Sequence, residues 1–178
     1  DEIFGSYYFD VKKHPIINNP LSFKKPGLNE NLAEFFGIMI GDGGMSHRQV
    51  YITLHHLDDA AYIKRVAKMI KKLFGVTPSI YHEPEFSVKN IVISRSKLVE
   101  YLNSLGLAIG DKIRNKIDIP IWIKQNDNFK IACLRGLVDS DGSVFNHNYK
   151  VKNKWYSYKK LDFTSASPDL INSVFQIL

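Results

Sequence analysis

Cysteine and long apolar runs are both scarce in this chain of 178 residues. Cys133 is the only cysteine, which excludes an intramolecular disulfide and a cysteine-based zinc site, and we expect it to pack in the core. The six histidines show no zinc-ligand spacing. The sequence has no run of about 18 apolar residues and no signal-peptide pattern at its N-terminus. We therefore expect an intracellular protein of the cytoplasm, the nucleoid or an organelle, without a membrane partner.

Acidic residues are absent from one segment of the chain. Residues 142–161 contain no Asp or Glu, although the whole chain has 18 of them and a net charge of +6. This positive balance favours a polyanionic partner, and the apolar fraction of 44% is enough for a packed core. The segment interleaves lysines with aromatic residues: Lys150, Lys152, Lys154, Lys159 and Lys160 with Tyr149, Trp155, Tyr156 and Tyr158. A lysine run is usually only solvated, but the aromatic content favours a hairpin that faces nucleic acid.

Two segments share one pattern, Ala-x3-Gly-x3-small-Asp-Gly. The first copy consists of Ala33, Gly37, Gly41, Asp42 and Gly43, and the second of Ala132, Gly136, Ser140, Asp141 and Gly142. Residues four apart lie on one face of a helix, so each copy predicts a helix with a stripe of small residues. Such a stripe lets two helices approach more closely than the usual distance of about 8–10 Å. If the two helices pack together, Asp42 and Asp141 lie side by side.

The two aspartates have two possible explanations. Carboxylates at neighbouring helix C-termini repel each other and the helix dipoles. A bound Mg²⁺ would relieve this repulsion, because it binds one or two carboxylates together with waters and substrate phosphates. Alternatively, each Asp-Gly pair only ends its helix, with Gly43 and Gly142 in the left-handed conformation. The recurrence of the small-residue stripe favours the metal site.

The repeated segments resemble the two motifs of the LAGLIDADG homing endonucleases. Residues 134–142 are the closer match, whereas residues 36–43 have Ile40 where the family has an acid. The resemblance implies an α+β fold of αββαββα repeats, in which antiparallel sheets form a DNA-binding saddle and the motif helices pair at the centre. It implies an intron-encoded enzyme that hydrolyses double-stranded DNA at a long target site and needs no small-molecule cofactor. The expected metal is Mg²⁺, for which Mn²⁺ substitutes, while Ca²⁺ binds without supporting cleavage.

The resemblance also assigns site residues. Asp42 and Asp141 would be the catalytic metal ligands, together with the preceding Gly41 and Ser140. In related enzymes with two motifs, a lysine shortly before an Ile-Pro pair lies near the scissile phosphate. Lys116 is the first choice for this catalytic lysine, and Lys112 is the alternate.

The expected DNA contacts divide by chemistry. Lysines and arginines position a duplex through its phosphates, and polar side chains on strands read base edges. In the first repeat the candidates are Arg48, Gln49, Tyr51, Thr53, Tyr81, Lys89 and Asn90. In the second they are the lysines and aromatic residues of segment 142–161.

The pattern of apolar residues divides the chain into four parts. We assign residues 1–30 to an N-terminal extension with a short strand within 1–10, and 31–106 to the first repeat. Residues 107–129 form a connector and 130–178 a truncated second repeat. The second repeat lacks the last two strands and the final helix of the pattern. Three explanations are open: the sequence is part of a longer protein, these elements have been lost, or a partner chain supplies them. A full-length protein would be a monomer with pseudo-two-fold symmetry.

Local signals predict the elements of both repeats. The first repeat should run helix, two strands, helix, two strands, helix, with Val50, Ile52 and Leu54 on one face of the second strand. Gly75 should end the middle helix, and the side chain of Ser94 or Ser96 should cap the start of the last one. The second repeat should contain a hairpin over 143–158, a strand over 161–165 and a helix over 170–178.

A second class of function stays open. The same scaffold serves RNA maturases, which act on intron RNA, and regulators that bind DNA without cleaving it. Both terminal motif acids are present, which favours cleavage and leaves room for a protein with two functions.

Overall fold

The computed structural model describes residues 21–178, without the side chains of Glu83 and Pro84. The short strand predicted within residues 1–10 lies outside this range. Across the described residues, the helices are all too short or too polar to cross a membrane. The described chain is an α+β protein whose sheets are antiparallel, and this fold class is as predicted.

The first repeat has the predicted order of elements. Its elements are α1 (Glu30–Gly41), β1 (Gly43–Met45), β2 (Gln49–His55), α2 (Ala60–Phe74), β3 (Ser79–Glu83), β4 (Val88–Ser94) and α3 (Ser96–Ser104), with a 3-10 turn at Pro84–Phe86. The four strands form one antiparallel sheet in the order β1-β2-β4-β3.

This sheet has one buried face and one open face. Along β2, Val50, Ile52 and Leu54 are buried, while the alternate residues are exposed. Successive side chains of a strand point to opposite faces, so the buried side chains join a core that also includes residues of α1, α2 and α3. The other face of the sheet is therefore available to a ligand.

Local capping residues set several helix ends. The Asn29 side chain accepts a hydrogen bond of 3.1 Å from the backbone N–H of Leu32 and so begins α1. Gly75 ends α2 in the left-handed conformation, with φ 67°. The residue before α3 is Arg95, not Ser94 or Ser96, and it makes no side-chain cap.

The alternative explanation of the Asp-Gly pairs, which puts Gly43 and Gly142 in the left-handed conformation, is wrong. Gly43 begins β1 and is not among the described glycines with positive φ, and Gly142 begins β5 with φ −109°. Each Asp-Gly pair thus leads its helix directly into a strand. This geometry does not fit the explanation in which each Asp-Gly pair only ends its helix through a left-handed glycine.

The second repeat contains α5 (Asp127–Asp141), β5 (Gly142–Val151), β6 (Lys154–Phe163) and α6 (Pro168–Ile177). Strands β5 and β6 form one long hairpin, not the shorter hairpin and separate strand that the sequence predicted. Its two turn residues, Lys152 and Asn153, have φ of 44° and 63°. Positive φ at both positions is typical of the type I′ turn, which matches the twist of paired strands.

The connector packs into the core. It contains the short helix α4 (Ile121–Lys124), and the side chains of Ile119 and Ile123 are buried. Trp122 donates a hydrogen bond of 3.0 Å from its indole nitrogen to the Leu105 carbonyl, and its ring meets Phe36 edge-on at 5.2 Å between centroids. The connector therefore packs against both α1 and the end of α3.

Helices α1 and α5 pack with their backbones in contact. A Cβ atom on Gly37 would lie 2.1 Å from the carbonyl oxygen of Cys133, and one on Gly136 would lie 2.3 Å from that of Glu34. Cys133 itself is fully buried, as expected. The small-residue stripes of the two copies thus face each other.

The close contact predicts the effect of Gly37→Ala. The added methyl would meet backbone of α5, which moves only if the two helices separate. We expect a loss of about 1–3 kcal/mol in the free energy of unfolding, even though alanine favours helix over glycine. Chemical denaturation would measure the change. Gly27→Ala is the matched control, because its Cβ would have no atom within 4 Å; equal stability of the two variants would contradict the packing.

Candidate functional site

The two motif aspartates lie at the meeting ends of α1 and α5. Asp42 directly follows α1, and Asp141 is the last residue of α5. A Cβ atom on Gly41 would lie 1.9 Å from the Ser140 hydroxyl oxygen and 3.3 Å from Oδ2 of Asp141. The absence of a side chain at Gly41 therefore allows the helix ends to meet and places the two carboxylates next to each other.

This placement disfavours negative charge on both carboxylates. The pKa of Asp42 is raised to about 6, mainly by desolvation and also by the neighbouring Asp141 and Asp59, against the opposing effect of Lys112. Partial burial also raises the pKa of Asp141, again against the effect of Lys112. A cation held between the two carboxylates would stabilise their ionised forms.

Lys112 lies beside the carboxylates and Lys116 does not. The Lys112 ammonium donates to the carbonyl oxygens of Ile40, at 2.9 Å, and of Gly41. It lines a recess of about 270 Å³ together with Asp141. Burial lowers the pKa of Lys112, and the two aspartates raise it. Lys116 is exposed and has a φ of 49°, so of the two predicted lysines the fold brings the alternate, Lys112, to the aspartates.

Few protein groups besides the two carboxylates are available as metal ligands at this site. Within residues 21–178, no three His, Cys, Asp or Glu side chains come close enough together to hold a metal ion. The Ser140 hydroxyl donates within its own helix to the carbonyls of Gly136 and Leu137, both at 3.0 Å. The Gly41 carbonyl accepts from Lys112. Two carboxylates with few other protein ligands suit Mg²⁺, which keeps several waters and binds substrate phosphates.

The open face of the four-stranded sheet carries most of the predicted DNA contacts of the first repeat. Gln49, Tyr51, Thr53, Tyr81 and Asn90 line one shallow depression on it. Here Gln49 donates to the Ser94 hydroxyl at 3.0 Å, and the Thr53 hydroxyl donates to the Asn90 side-chain oxygen at 2.7 Å. These contacts order polar side chains on an accessible surface.

Two other candidates lie apart from this depression. Arg48 is exposed in the turn between β1 and β2. Lys89 pairs in register with the buried Leu54 and with His82, so it lies on the opposite face of the sheet from Asn90. The fold therefore does not bring Lys89 to the open face.

The basic aromatic hairpin divides its residues between two faces. On one face Tyr149 stacks on Tyr156 at 5.3 Å, and Tyr158, Lys154 and Lys160 share that side of the register. On the other face Trp155 lies opposite Lys150, whose ammonium is 5.9 Å from the indole centroid, and Lys159 shares this side. Lys152 occupies the turn. The segment free of acidic residues thus presents two different exposed surfaces.

A buried carboxylate, Glu34, was not identified from the sequence. Its side chain is 4% exposed and pairs with Arg65 of α2 and with Arg135 of α5, whose Nε lies 3.0 Å from Oε2. Arg65 also pairs with Asp139 at 2.9 Å. The sequence gives one indication of this buried carboxylate: Glu34 is an acidic residue within the apolar run of α1. The cluster ties α1, α2 and α5 together near the candidate site.

No family model matches the chain. Among curated proteins, it is 31% identical over 126 residues to the replication factor C small subunit of Methanocaldococcus jannaschii, covering 71% of this chain and 7% of that protein. It is 34% identical over 88 residues to one of the subunits of the A-type ATP synthase of Pyrococcus horikoshii, covering 49% of this chain and 9% of that protein. The same subunit of Pyrococcus abyssi is 29% identical over 116 residues, covering 65% of this chain and 11% of the relative. The chain thus spans about a tenth or less of these relatives.

The raised pKa of Asp42 predicts a stability change in the free protein. Because the folded-state pKa of about 6 exceeds the ordinary value of 3.8, the stability contributed by protonated Asp42 is lost as the pH rises from 3.8 through 6. Asp42→Asn removes this loss, so its melting temperature should exceed that of the wild type above pH 6 by about 1–3 °C, after allowance for solvent screening.

The difference should shrink as the pH falls toward 3.8. Differential scanning calorimetry across this pH range, in chelator, measures it. Asp162→Asn, at an exposed position of β6, is the control and should show no such pH-dependent gain. A variant at Asp42 that is less stable than the wild type above pH 6 would contradict the electrostatic account.

The Glu34 cluster gives another stability prediction. Glu34→Gln keeps the shape of the side chain but removes the charge that pairs with Arg65 and Arg135. Hydrogen bonds to charged groups contribute about 1.5–3 kcal/mol, and both arginines are about half exposed and can turn to water. We expect a loss of about 1–3 kcal/mol by urea denaturation. Glu30→Gln, at the exposed start of the same helix, should cost less than about 1 kcal/mol; a similar loss in both variants would argue against the cluster.

Proposed function

We propose that this chain is a metal-dependent, sequence-specific double-stranded DNA endonuclease of the LAGLIDADG homing type. The observation that carries the proposal is the meeting of Asp42 and Asp141 at the ends of two helices packed through glycine. An arrangement that raises the pKa of a carboxylate costs stability, and such sites are often functional. A divalent cation between the two carboxylates would offset this negative charge and could at the same time contact a phosphodiester.

The roles of the residues follow from their positions. Asp42 and Asp141 would hold Mg²⁺, with the carbonyl group of Ser140 as a further oxygen donor, while the Gly41 carbonyl accepts from the Lys112 ammonium. The bound metal supplies charge stabilisation at the phosphate and lowers the pKa of a water molecule. Lys112 holds its ammonium between the end of α1 and the recess beside Asp141. From there it would offset the charge of the carboxylates and attract the phosphate backbone.

The strand registers relate the two halves of the proposed DNA surface. Gly43 pairs with Ile52 in the first repeat, and Gly142 pairs with Phe163 in the second. The counterpart of Tyr51 is therefore Asp162, and the alternation of a strand carries Tyr158 and Lys160 on that same side. We propose that this face of the hairpin continues the open face of the sheet along one duplex.

The comparisons support a module that occurs within larger proteins. The matched replication factor C and A-type ATP synthase subunits are differently named proteins, yet the chain resembles about a tenth or less of each. A mobile coding element inserted into different genes would produce this distribution. The alternative, an RNA maturase or a regulator that binds without cutting, is favoured by the basic aromatic hairpin, because stacking surfaces and lysines also suit RNA.

Cleavage of randomised duplex DNA tests the proposed function. The protein is incubated with the library and Mg²⁺, or with Ca²⁺ as the control, and both bound and cut molecules are sequenced. We expect one long site to be enriched and to be cut with Mg²⁺ alone. Enrichment without cutting would contradict the nuclease and favour the regulator, and binding of RNA alone would favour the maturase.

Substitution of the aspartates tests the site itself. Asp42→Asn and Asp141→Asn should each lower the cleavage rate of at least one strand by about 100-fold or more, because a metal ligand is removed. Affinity for the target, measured in Ca²⁺, should change much less. Asp169→Asn, at an exposed position in the first turn of α6, should cleave like the wild type. Full activity in both motif variants would refute the metal site.

A further inference from the structure

Helix α2 carries a second strongly basic surface. Its outward side bears Lys64, Lys68, Lys71 and Lys72, all exposed, and the helix contains no acidic residue. These positions are spaced by three or four residues and so lie on one side of the helix, opposite the buried Ile63, Val66 and Ile70. We call these four lysines the basic face of α2.

The basic face of α2 has no acidic partner within residues 21–178. None of its four lysines forms an ion pair there. Lys71 and Lys72 lie in the last turn of α2, where their positive charge interacts favourably with the helix dipole. Lys64 and Lys68 lie earlier in the helix and have no such role. Like charges four residues apart destabilise a helix. Repulsion between these lysines therefore destabilises the free protein, and a bound polyanion would remove this repulsion.

Neighbouring residues extend the positive surface. The backbone N–H of Lys24 donates to the Phe74 carbonyl at 2.7 Å, which places the preceding segment beside the end of α2. Lys24, Lys25 and Lys72 line one recess together with Asn29 and Asn31. The acidic groups near this surface include Glu30, between Asn29 and Asn31, Asp58 and Asp59, before the start of α2, and Glu100, which lies near Lys25 and Lys97.

The basic face of α2 lies on the other side of the sheet from the proposed duplex. The buried residues of α2 and the inward residues of β2 belong to one core, whereas Tyr51 and Thr53 point away from that core. One duplex on the open face of the sheet therefore does not reach the outward side of α2. A ligand of the basic face is a separate molecule or a separate segment.

We infer that the basic face of α2 binds the phosphate backbone of a second nucleic-acid duplex without reading its sequence. Lysines on a regular helix provide charge but no apolar centre, whereas protein interfaces are depleted in lysine and enriched in aromatic residues. The apolar side of α2 is buried in the core, so the helix cannot insert it into a membrane. This inference uses none of the residues assigned to the carboxylate site or the open face, and it stands independently of the proposed function.

The number of duplexes bound by each protein molecule tests the inference. The probe is a short DNA duplex of arbitrary sequence, in chelator and at low salt, followed by analytical ultracentrifugation. The test variant carries Lys64→Gln, Lys68→Gln, Lys71→Gln and Lys72→Gln. A hairpin variant carries Lys152→Gln, Lys154→Gln and Lys160→Gln, in the turn and on the face proposed to contact the first duplex, and a charge-preserving variant has Arg at the four α2 positions. Glutamine and arginine are good helix formers, and circular dichroism verifies folding.

We expect the wild type and the arginine variant to bind two duplexes, and each glutamine variant to bind one. In the α2 glutamine variant, the slope of log affinity against log salt should fall by up to about 0.9 for each phosphate that the lysines no longer neutralise. Unchanged stoichiometry and salt dependence in this variant would overturn the inference. So would stronger binding of polyglutamate or anionic vesicles than of DNA through the same lysines.

The same measurement separates this inference from the proposed function. If the sheet and hairpin bind no DNA, the wild type and the hairpin variant should bind one duplex and the α2 glutamine variant none. That result would support the basic face of α2 and contradict the proposed endonuclease surface.

Discussion

The contact between the backbones of α1 and α5 is the constraint on which the candidate site depends. Gly37 and Gly136 each face a carbonyl group of the other helix at a distance that leaves no room for a methyl group. One turn further along, Gly41 meets Ser140, and the two aspartates follow. A larger side chain at any of these glycines would separate the helices. The separation would then increase the distance between the carboxylates, so the chemistry of the site depends on packing several residues away.

The same approach of the helices creates an electrostatic cost that the fold only partly offsets. Two carboxylates share the negative ends of two helix dipoles, and desolvation raises their pKa values. Lys112 donates to main-chain carbonyls at the end of α1 and brings a positive charge to both carboxylates. Glu34, deeper in the interface, is balanced by two arginines instead. In the free protein the charge of Glu34 is therefore compensated, whereas the charges of Asp42 and Asp141 are compensated only in part. A cation bound between these two carboxylates would complete the compensation.

Positive charge is distributed over two sides of the described chain. The long hairpin begins directly after Asp141 and presents lysines and stacked tyrosines along its length, whereas the basic face of α2 lies behind the sheet. The two surfaces differ in composition as well as in position. Aromatic rings and polar strand residues suit contacts with bases, and lysines on a helix suit contacts with phosphates alone. A chain with both surfaces would bind one duplex at the proposed cleavage site and a second duplex through contacts between lysines and phosphates.

The sequence alone determined the features that depend on residues close together in the chain. The small-residue stripes, the alternation along β2 and the stop at Gly75 follow from local spacing and backbone preference, and the structure has them. Tertiary structure decided which lysine approaches the carboxylates, that Lys89 lies on the other face of the sheet, and that Glu34 pairs with arginines from two other helices. It also made β5 and β6 one long hairpin and gave Gly43 and Gly142 strand conformations. These outcomes depend on register and on contacts between residues far apart in sequence, and the local pattern of apolar residues does not specify either.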